Sequence, residues 1–584
     1  MASSHKNTGN PSALWLLSAV SLSTVTMFSP AVKAYSFNIG EVEGSFTSQL
    51  SIGASWRVED ADPRLISSGN GGSAPSNTAD DGNANFKKGK TFSNIFKGVH
   101  DLELTYQNYG AFFRGKYWYD RELKKGNRPH GHVSNDYRSG EPLDDEGFSN
   151  FAKFSGAELL DAFIYGEFDV SDMPLDLRAG SQVVSWGEST FIQGGVNSIN
   201  PFDVSAFRRP GAELKEGLLP VPMLYGALAV NDNLSLEGFY QLTWKKTEID
   251  GCGTYFSTTD WAAEGCNRLA FAGAIPDATN LAAGTFVERA SDDTPEDSGQ
   301  LGLAMRYFYD ELDTEFGVYY MNYHSRLPYV SVIRSTLGSH PAVIDDGNGF
   351  DAKYQVVYPE DIDLIGLSFA TNVASWALSG EVTHRPDLPV QINGNDLLVG
   401  GLTDGLAPNL FSPHIQATAP GEVASGYRRF AVTQTQATAI GFYDQILGAS
   451  RMTLIGEVGA THVHNLEDDL RYGRNPIFGT GAVGDQGYMT DTAWGYRLRG
   501  TLQYPNAFAG INLKPLLSFS HDVNGYSPSP AQQFQKGRKA LGVALNMNYL
   551  SKYSSNISYT RYSGGKYNEI SDRDFISLSF GLSF

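Results

Sequence analysis

A transmembrane antiparallel β-barrel is the fold class this sequence predicts, with eighteen strands, long extracellular loops and one loop folded inward. Three observations predict it. The chain opens on an export signal and then lacks any apolar run long enough for a membrane helix. Much of it also alternates, residue by residue, between apolar and small or polar side chains.

Residues 1–34 carry one early positive charge, Lys6, then an apolar stretch over 13–28, and close on Val32, Lys33 and Ala34. That order is a secretory signal peptide, with the mature chain beginning near Tyr35. A membrane anchor is the competing reading, but the stretch is short and broken by Ser18, Ser21, Ser23 and Pro30. Residues 35–584 are left to form the barrel.

After Ala34 no apolar run approaches the ~18 residues of a transmembrane helix. Yet 12% aromatic residues, 63 glycines and 30 tyrosines suit neither a disordered nor an ordinary helical chain. Only a closed barrel, lipid outside and water inside, spans a membrane without hydrophobic runs. Removing residues 1–34 takes away Lys6 and Lys33 and leaves 64 acidic against 42 basic residues, a net charge of −22. So acidic an exported chain is not a nucleic-acid binder.

The last residues show the alternation most plainly. Ile576, Leu578, Phe580, Leu582 and Phe584 interleave with Ser577, Ser579, Gly581 and Ser583, and the chain ends on an aromatic. One face suits lipid, and Phe580 and Phe584 match the terminal signal that barrel-assembly machinery reads. Upstream, Phe46, Leu50, Ile52, Ala54 and Trp56 alternate with small and polar residues, as do Leu234, Leu236, Tyr240, Leu242 and Trp244. This periodicity predicts strands over 45–58, 96–106, 110–119, 158–168, 175–186, 222–230, 234–244, 299–309 and 313–323. It predicts nine more over 361–371, 374–384, 431–443, 449–462, 492–504, 510–521, 538–549, 554–563 and 574–584. A missed or invented hairpin would move the count between sixteen and twenty. Short turns at 108–110, 231–233, 310–312, 372–374 and 505–507 alternate with long loops, the periplasmic and extracellular ends of an outer-membrane barrel. So wide a barrel must be plugged or admit water.

Two loops stand out. Cys252 and Cys266 are the two cysteines of an exported chain, fourteen residues apart in the 245–298 loop, which predicts one loop disulfide. The same loop holds two apolar stretches, 269–275 and 281–287, readable as a binding surface or as short elements packed in the loop's own core. The 180–222 segment packs charges of both signs among Gly, Pro and aromatic residues. It is expected to fold into the lumen as the constriction. Its candidate pore residues are Trp186, Glu188, Asn200 and Asp203, then Arg208, Arg209, Glu213 and Lys215. The two arginines either face the pore or staple the loop to acidic wall residues.

The segments "QVVSWGESTFIQGG", "NSINPFDVSAFRRPGAELKEGLLPV", "FKGVHDLELTYQNYGAFFRGKYWYD" and "YYMNYHSRLP" resemble the domain-of-unknown-function family numbered 1302, over nearly the whole mature chain. The resemblance implies an outer-membrane channel and brings no catalytic motif. The family's association with exporter-like and periplasmic lipid-carrier-like proteins implies traffic in apolar compounds and partners of those kinds. Further partners expected are outer-membrane lipid, lipopolysaccharide and the barrel-assembly machinery.

Three functions fit an outer-membrane location: a channel or transporter for hydrophobic or amphipathic small molecules, a hydrolase of phospholipase or protease type, and a surface scaffold or adhesin. Ser325 beside His324 is the nearest hydrolytic pair, but neighbours on a strand face opposite sides. His384 and Arg385 read as rim residues, and His462 with His464 lacks a third metal ligand. The expectation is a non-enzyme without cofactor or metal.

Overall fold

The computed structural model describes residues 35–337, 349–480, 486–530 and 532–584; the expected signal peptide lies outside the described residues. Eighteen antiparallel strands close on themselves. They are β1 (Val42–Arg57), β2 (Thr91–Tyr106), β3 (Tyr109–Asp120), β4 (Ser155–Val170), β5 (Met173–Gln182) and β6 (Val221–Ala229). There follow β7 (Leu234–Gln241), β8 (Leu301–Tyr309), β9 (Thr314–Tyr323), β10 (Ile362–Val373), β11 (Trp376–Gln391) and β12 (Tyr427–Asp444). The last six are β13 (Arg451–Val463), β14 (Thr492–Phe508), β15 (Ile511–Asn524), β16 (Lys539–Tyr549), β17 (Tyr553–Ser563) and β18 (Phe575–Ser583). Each pairs with its sequence neighbours, and β18 returns to β1 with Gln49 opposite Ser583 and Arg57 opposite Phe575. A further strand, Tyr35–Ile39, pairs with β1 below the point where β18 stops.

The alternation becomes two surfaces. Outward positions such as Ile52, Leu159, Ile164, Leu303, Leu367, Leu498 and Phe580 are exposed and apolar, the band that lipid covers. Tyr106, Tyr109, Tyr307, Tyr309, Tyr549 and Tyr553 ring the short-turn end, and Tyr119, Tyr320 and Trp494 stand at the other. These are the girdles of an outer-membrane barrel, and the protein is one. Inward positions are polar and buried, among them Lys97, Lys116, Glu381, Gln436, Glu457, Arg497 and Asn546. No helix among the described residues is long and apolar enough to cross a membrane.

The predicted turn at 505–507 is displaced. β14 runs on to Phe508 through a register irregularity between Tyr504 and Phe508, and the chain reverses at Ala509 and Gly510, both with positive φ. Pro505 marks the irregularity rather than the turn, because it has no N–H for the ladder. The strand expected to reach Trp244 ends at Gln241, since Trp244 leaves the lipid face to pack with the extracellular core.

That core caps the barrel. Leu269 and Val287 sit opposite each other in a short hairpin and pack with Val330, Tyr354, Leu397 and Phe411. Leu269, Ala270, Phe286 and Val287 of the two stretches are therefore interior to the loops, while Ala274, Ile275, Ala282 and Ala283 are exposed. Cys252 and Cys266 are disulfide-bonded, fully buried against Phe148, Phe154 and Val133 of the 121–154 loop. Replacing both with serine is expected to cost about 2–4 kcal/mol locally and to leave the barrel assembled. Limited proteolysis should cut near 252–266 in the variant alone, while heat-modifiable migration stays as in wild type; loss of the folded band would show that the bridge is needed for assembly.

Candidate functional site

The loop between β5 and β6, residues 183–220, crosses the lumen in two lobes. Its neck is tied by Asn200, whose side chain accepts from the N–H of Val184 and donates to the carbonyls of Gln182 and Leu219. The first lobe leaves past Trp186, which is 1% exposed, lies against Phe239 and Tyr319, and donates to Glu237. It then reaches the opposite wall. Glu381 of β11 accepts from the N–H groups of Glu188 and Val196 at 2.6 and 2.9 Å. Glu457 of β13 accepts from Thr190, Phe191 and Ile192 at 2.6–2.7 Å. Arg385 donates to the carbonyls of Gly194 and Gly195. Only glycine fits at 195, where a Cβ would stand 1.7 Å from a Glu381 oxygen.

The second lobe folds against β1–β3. Asp203 caps the short helix Val204–Arg208 and pairs with Lys116 at 2.8 Å, both side chains almost fully buried. Lys97 pairs with Glu216 and donates to the Gly211 carbonyl. Glu213 accepts from Gln49 and lies beside Lys215, which also approaches Asp101. Pro210 lies over Gly53, where a Cβ would come within 2.5 Å.

Most of the expected pore residues thus hold the loop in place rather than line an open passage. Trp186 and Asp203 are buried in contacts with the wall, so the expectation that they line the pore is corrected, whereas Asn200 and Arg208 both reach the lining of a chamber above the first lobe. Arg208 is a staple: it pairs with Asp250, donates to the Phe256 carbonyl and stacks on the Phe256 ring. Arg209 stacks on Trp118 and donates to the Phe151 carbonyl. Glu213 and Lys215 neutralise each other, and Glu188 lies 3.8 Å from Arg306. The residues that receive the loop, Glu381, Glu457, Lys97 and Lys116, were not among the expected ones. A signal did exist: a charge in mid-strand must face the lumen, because the lipid face would reject it.

Above the first lobe is a chamber of about 450 Å³, within the size range of small-molecule sites. Its floor includes Gln193, Gly194 and Ser198, and its walls Tyr323, Tyr329, Ile362 and Leu388. Phe256 and Trp261 enter from the extracellular cap, with Pro528 and Pro530 beside them. Four guanidinium groups, Arg208, Arg326, Arg385 and Arg474, and two carboxylates, Asp250 and Glu569, line it; Arg208 pairs with Asp250, while Arg326 and Arg385 have no carboxylate partner among the described ion pairs. Arg326 donates to the Ile199 carbonyl and the Gln241 amide oxygen, and Arg385 to Tyr323 and the loop carbonyls. Burial pulls Arg326 down to about 10, which leaves it charged at neutral pH. On the periplasmic side a second cavity of about 540 Å³ is lined by Glu167, Asp169, Asp176 and Glu237.

Ser325 and His324, the nearest hydrolytic pair in the sequence, do not engage each other. His324 Nε2 lies 2.8 Å from the Ser298 carbonyl and its Nδ1 accepts from the Asp361 N–H, while Ser325 donates to the Leu327 carbonyl. His384 and His464 both engage Thr433, and His462 engages Thr492.

Several solved structures resemble the chain at low identity. OccAB1 of Acinetobacter baumannii is 10% identical with a TM-score of 0.40, covering 95% of this chain and 98% of its own. OpdK of Pseudomonas aeruginosa, solved with vanillate, is 8% identical with a TM-score of 0.37, covering 92% and 98%. A BenF-like porin from Pseudomonas fluorescens Pf-5 is 7% identical with a TM-score of 0.40, covering 93% and 98%. No curated protein matches the chain. A family model described as "Protein of unknown function (DUF1302)" matches residues 15–584, and the chain belongs to that family.

Proposed function

We propose that the protein is an outer-membrane channel for small amphipathic anions, which dwell in the chamber above the inward loop before passing it. The observation that carries this reading is the pairing of apolar and aromatic walls with two carboxylate-free guanidinium groups, Arg326 and Arg385, in one chamber. An apolar body gains from Tyr329, Leu388, Phe256 and Trp261, while a carboxylate or similar head is drawn by the positive charge of the two guanidinium groups, most of whose N–H groups are engaged by the protein. The chain's net charge of −20 favours cations at long range, but at the chamber itself Arg326 and Arg385 add positive charge beside the Arg208–Asp250 pair, Arg474 and Glu569. A purely hydrophobic cargo would leave both charges unused. Leu269 and Val287 of the apolar stretches are packed into the core of the cap, which leaves less apolar surface there to capture such a cargo.

The test is uptake into proteoliposomes of an arylalkanoic acid and its neutral amide. Arg326→Gln and Arg385→Gln should each lower apparent affinity for the acid by about tenfold or more, as for the loss of a hydrogen bond to a charged group worth about 1.5–3 kcal/mol. The amide should be unaffected. Because both arginines also hold the surrounding chain, the ratio of acid to amide is the reading that counts. Equal losses for both compounds would assign the arginines to support alone. Wild type that discriminates neither compound from a sugar of equal size would leave a plain aqueous pore.

A further inference from the structure

Four aspartates far apart in the sequence meet in the extracellular cap. Asp80 and Asp81 lie in the 58–90 loop, and Asp260 and Asp277 in the 242–300 loop. Each is almost fully buried, at 0% exposure for Asp80, Asp81 and Asp277 and 2% for Asp260. One carboxylate oxygen from each of Asp80, Asp81 and Asp260 lies within 4.8 Å of the other two. Among the described ion pairs, the cationic partner of this group is His130 of the 121–154 loop, 3.0 Å from Asp81 and 3.4 Å from Asp277.

The scaffold engages both oxygens of Asp277, but only one oxygen of each of Asp80, Asp81 and Asp260, leaving the other without a partner. Asp80 Oδ2 accepts from the Ser67 N–H and the Asn70 amide, while Oδ1 is buried with no hydrogen bond. Asp81 Oδ1 faces His130, and its Oδ2 is buried with none. Asp260 Oδ2 accepts from the Asp80 N–H, and its Oδ1 is again buried with none. The side-chain oxygen of Asn83, in the same short helix as Asp81, is also buried and unpartnered. Leaving one buried acceptor unsatisfied costs free energy, and three buried carboxylates this close together repel each other as well.

We infer that Asp80, Asp81 and Asp260 bind a calcium ion that clamps the 58–90 loop to the 242–300 loop. Oxygens at 2.3–2.6 Å from a common calcium lie no more than about 5 Å apart, which matches the observed spacing. A set made of oxygens alone suits a hard cation, and the six to eight ligands calcium prefers leave room for Asn83 and water. Zinc would want nitrogen or sulfur; His130, the nearest nitrogen donor, already serves Asp81 and Asp277. Magnesium demands tighter octahedral geometry than three carboxylates from two loops provide. The clamp bears on the chamber, because Thr258 and Thr259, adjacent to Asp260, line it. With calcium bound, that part of the roof is clamped to the 58–90 loop; without it, the two loops are joined there by hydrogen bonds from the Asp260 N–H to the Thr78 carbonyl and from the Asp80 N–H to the Asp260 carboxylate, a weaker tie between repelling carboxylates.

Purified full-length protein, stripped with chelator and titrated with calcium chloride, should bind one ion per chain, with a dissociation constant of about 10⁻⁴–10⁻³ M, as extracellular modules do. Calcium should also slow proteolysis of the 242–300 loop by about tenfold. Asp260→Asn and Asp81→Asn keep the shape and relieve the repulsion, so both should fold while losing the binding and the protection. Lipopolysaccharide that copurifies also holds calcium, but equally in wild type and variants, so the difference between them isolates the site. No saturable binding by wild type at about 10 mM calcium, or unchanged binding by both variants, would overturn the assignment. Saturable zinc binding in place of calcium would overturn the all-oxygen site in favour of one built on His130, Asp81 and Asp277.

Discussion

Replacing Glu381 and Glu457 together with alanine is expected to convert a restricted conductance into a larger, fluctuating one. The first lobe of the inward loop rests on five main-chain N–H groups donated to these two carboxylates. Both acceptors are buried, at 3% and 2% exposure, so water does not stand in for them. Hydrogen bonds to a charged acceptor contribute about 1.5–3 kcal/mol each, and the N–H groups orphaned by alanine add a penalty of their own. Taking about 3–5 kcal/mol for each glutamate, as for breaking a buried charge pair, the population of the displaced lobe rises by roughly 10²–10⁴-fold per substitution. Single-channel recording in planar bilayers reads this directly. The second lobe, held by Lys97 and Lys116, should stay in place, so the new conductance should remain below that of a variant with residues 183–220 shortened to a turn. Glutamine at both positions keeps one carbonyl acceptor and should fall between wild type and alanine. Records identical to wild type from assembled protein would mean that this lobe does not set the constriction.

The strands could be read from the sequence because each side chain answers to its own surroundings. Ile576 and Leu578 face lipid and Ser577 and Ser579 face the lumen whatever lies elsewhere, so the period of two survives in the sequence. The site is different. Glu457 acquires its role from N–H groups of Thr190 to Ile192, more than 260 residues away, and main-chain donors leave no mark on composition. Charge signs left two readings open for the same reason: Arg208 stands out among glycines and aromatics, and the acid that pairs with it, Asp250, comes from another loop. Arg326 and Arg385, which keep uncompensated charge, look like ordinary rim residues in the sequence. Asp80 and Asp260 come together only once the loops are stacked, and neither sits at a metal-ligand spacing. What the inward loop did announce was its existence, through charges too dense for a solvated connection; which of those charges face cargo depended on partners on the barrel wall.

Replacing Phe584 with aspartate is expected to remove most of the protein from the outer membrane while leaving its intrinsic ability to fold nearly intact. Phe584 closes the seam: its N–H donates to the Ser48 carbonyl at 2.9 Å and its carbonyl accepts from the Ser48 N–H at 2.7 Å. Those bonds belong to the backbone and survive the substitution, whereas deletion of the residue would remove them. The ring is 46% exposed on the outer face, at the end of the strand where the membrane meets the periplasm. A charge on the lipid face near an interface costs only about 0–1 kcal/mol for a basic residue and less for an acidic one. Thermodynamics alone therefore predicts a small change. A large loss in cells has to arise before the barrel is finished, when a terminal strand carrying Phe580 and Phe584 outward is recognised by the assembly machinery. The two accounts separate when the purified variant is refolded into bilayers without that machinery and compared with surface levels in cells. Near-normal refolding together with periplasmic degradation in cells supports recognition. Poor refolding in both settings would place the effect in the stability of the β1–β18 seam, and normal surface levels would show that the terminal aromatic carries no assembly information.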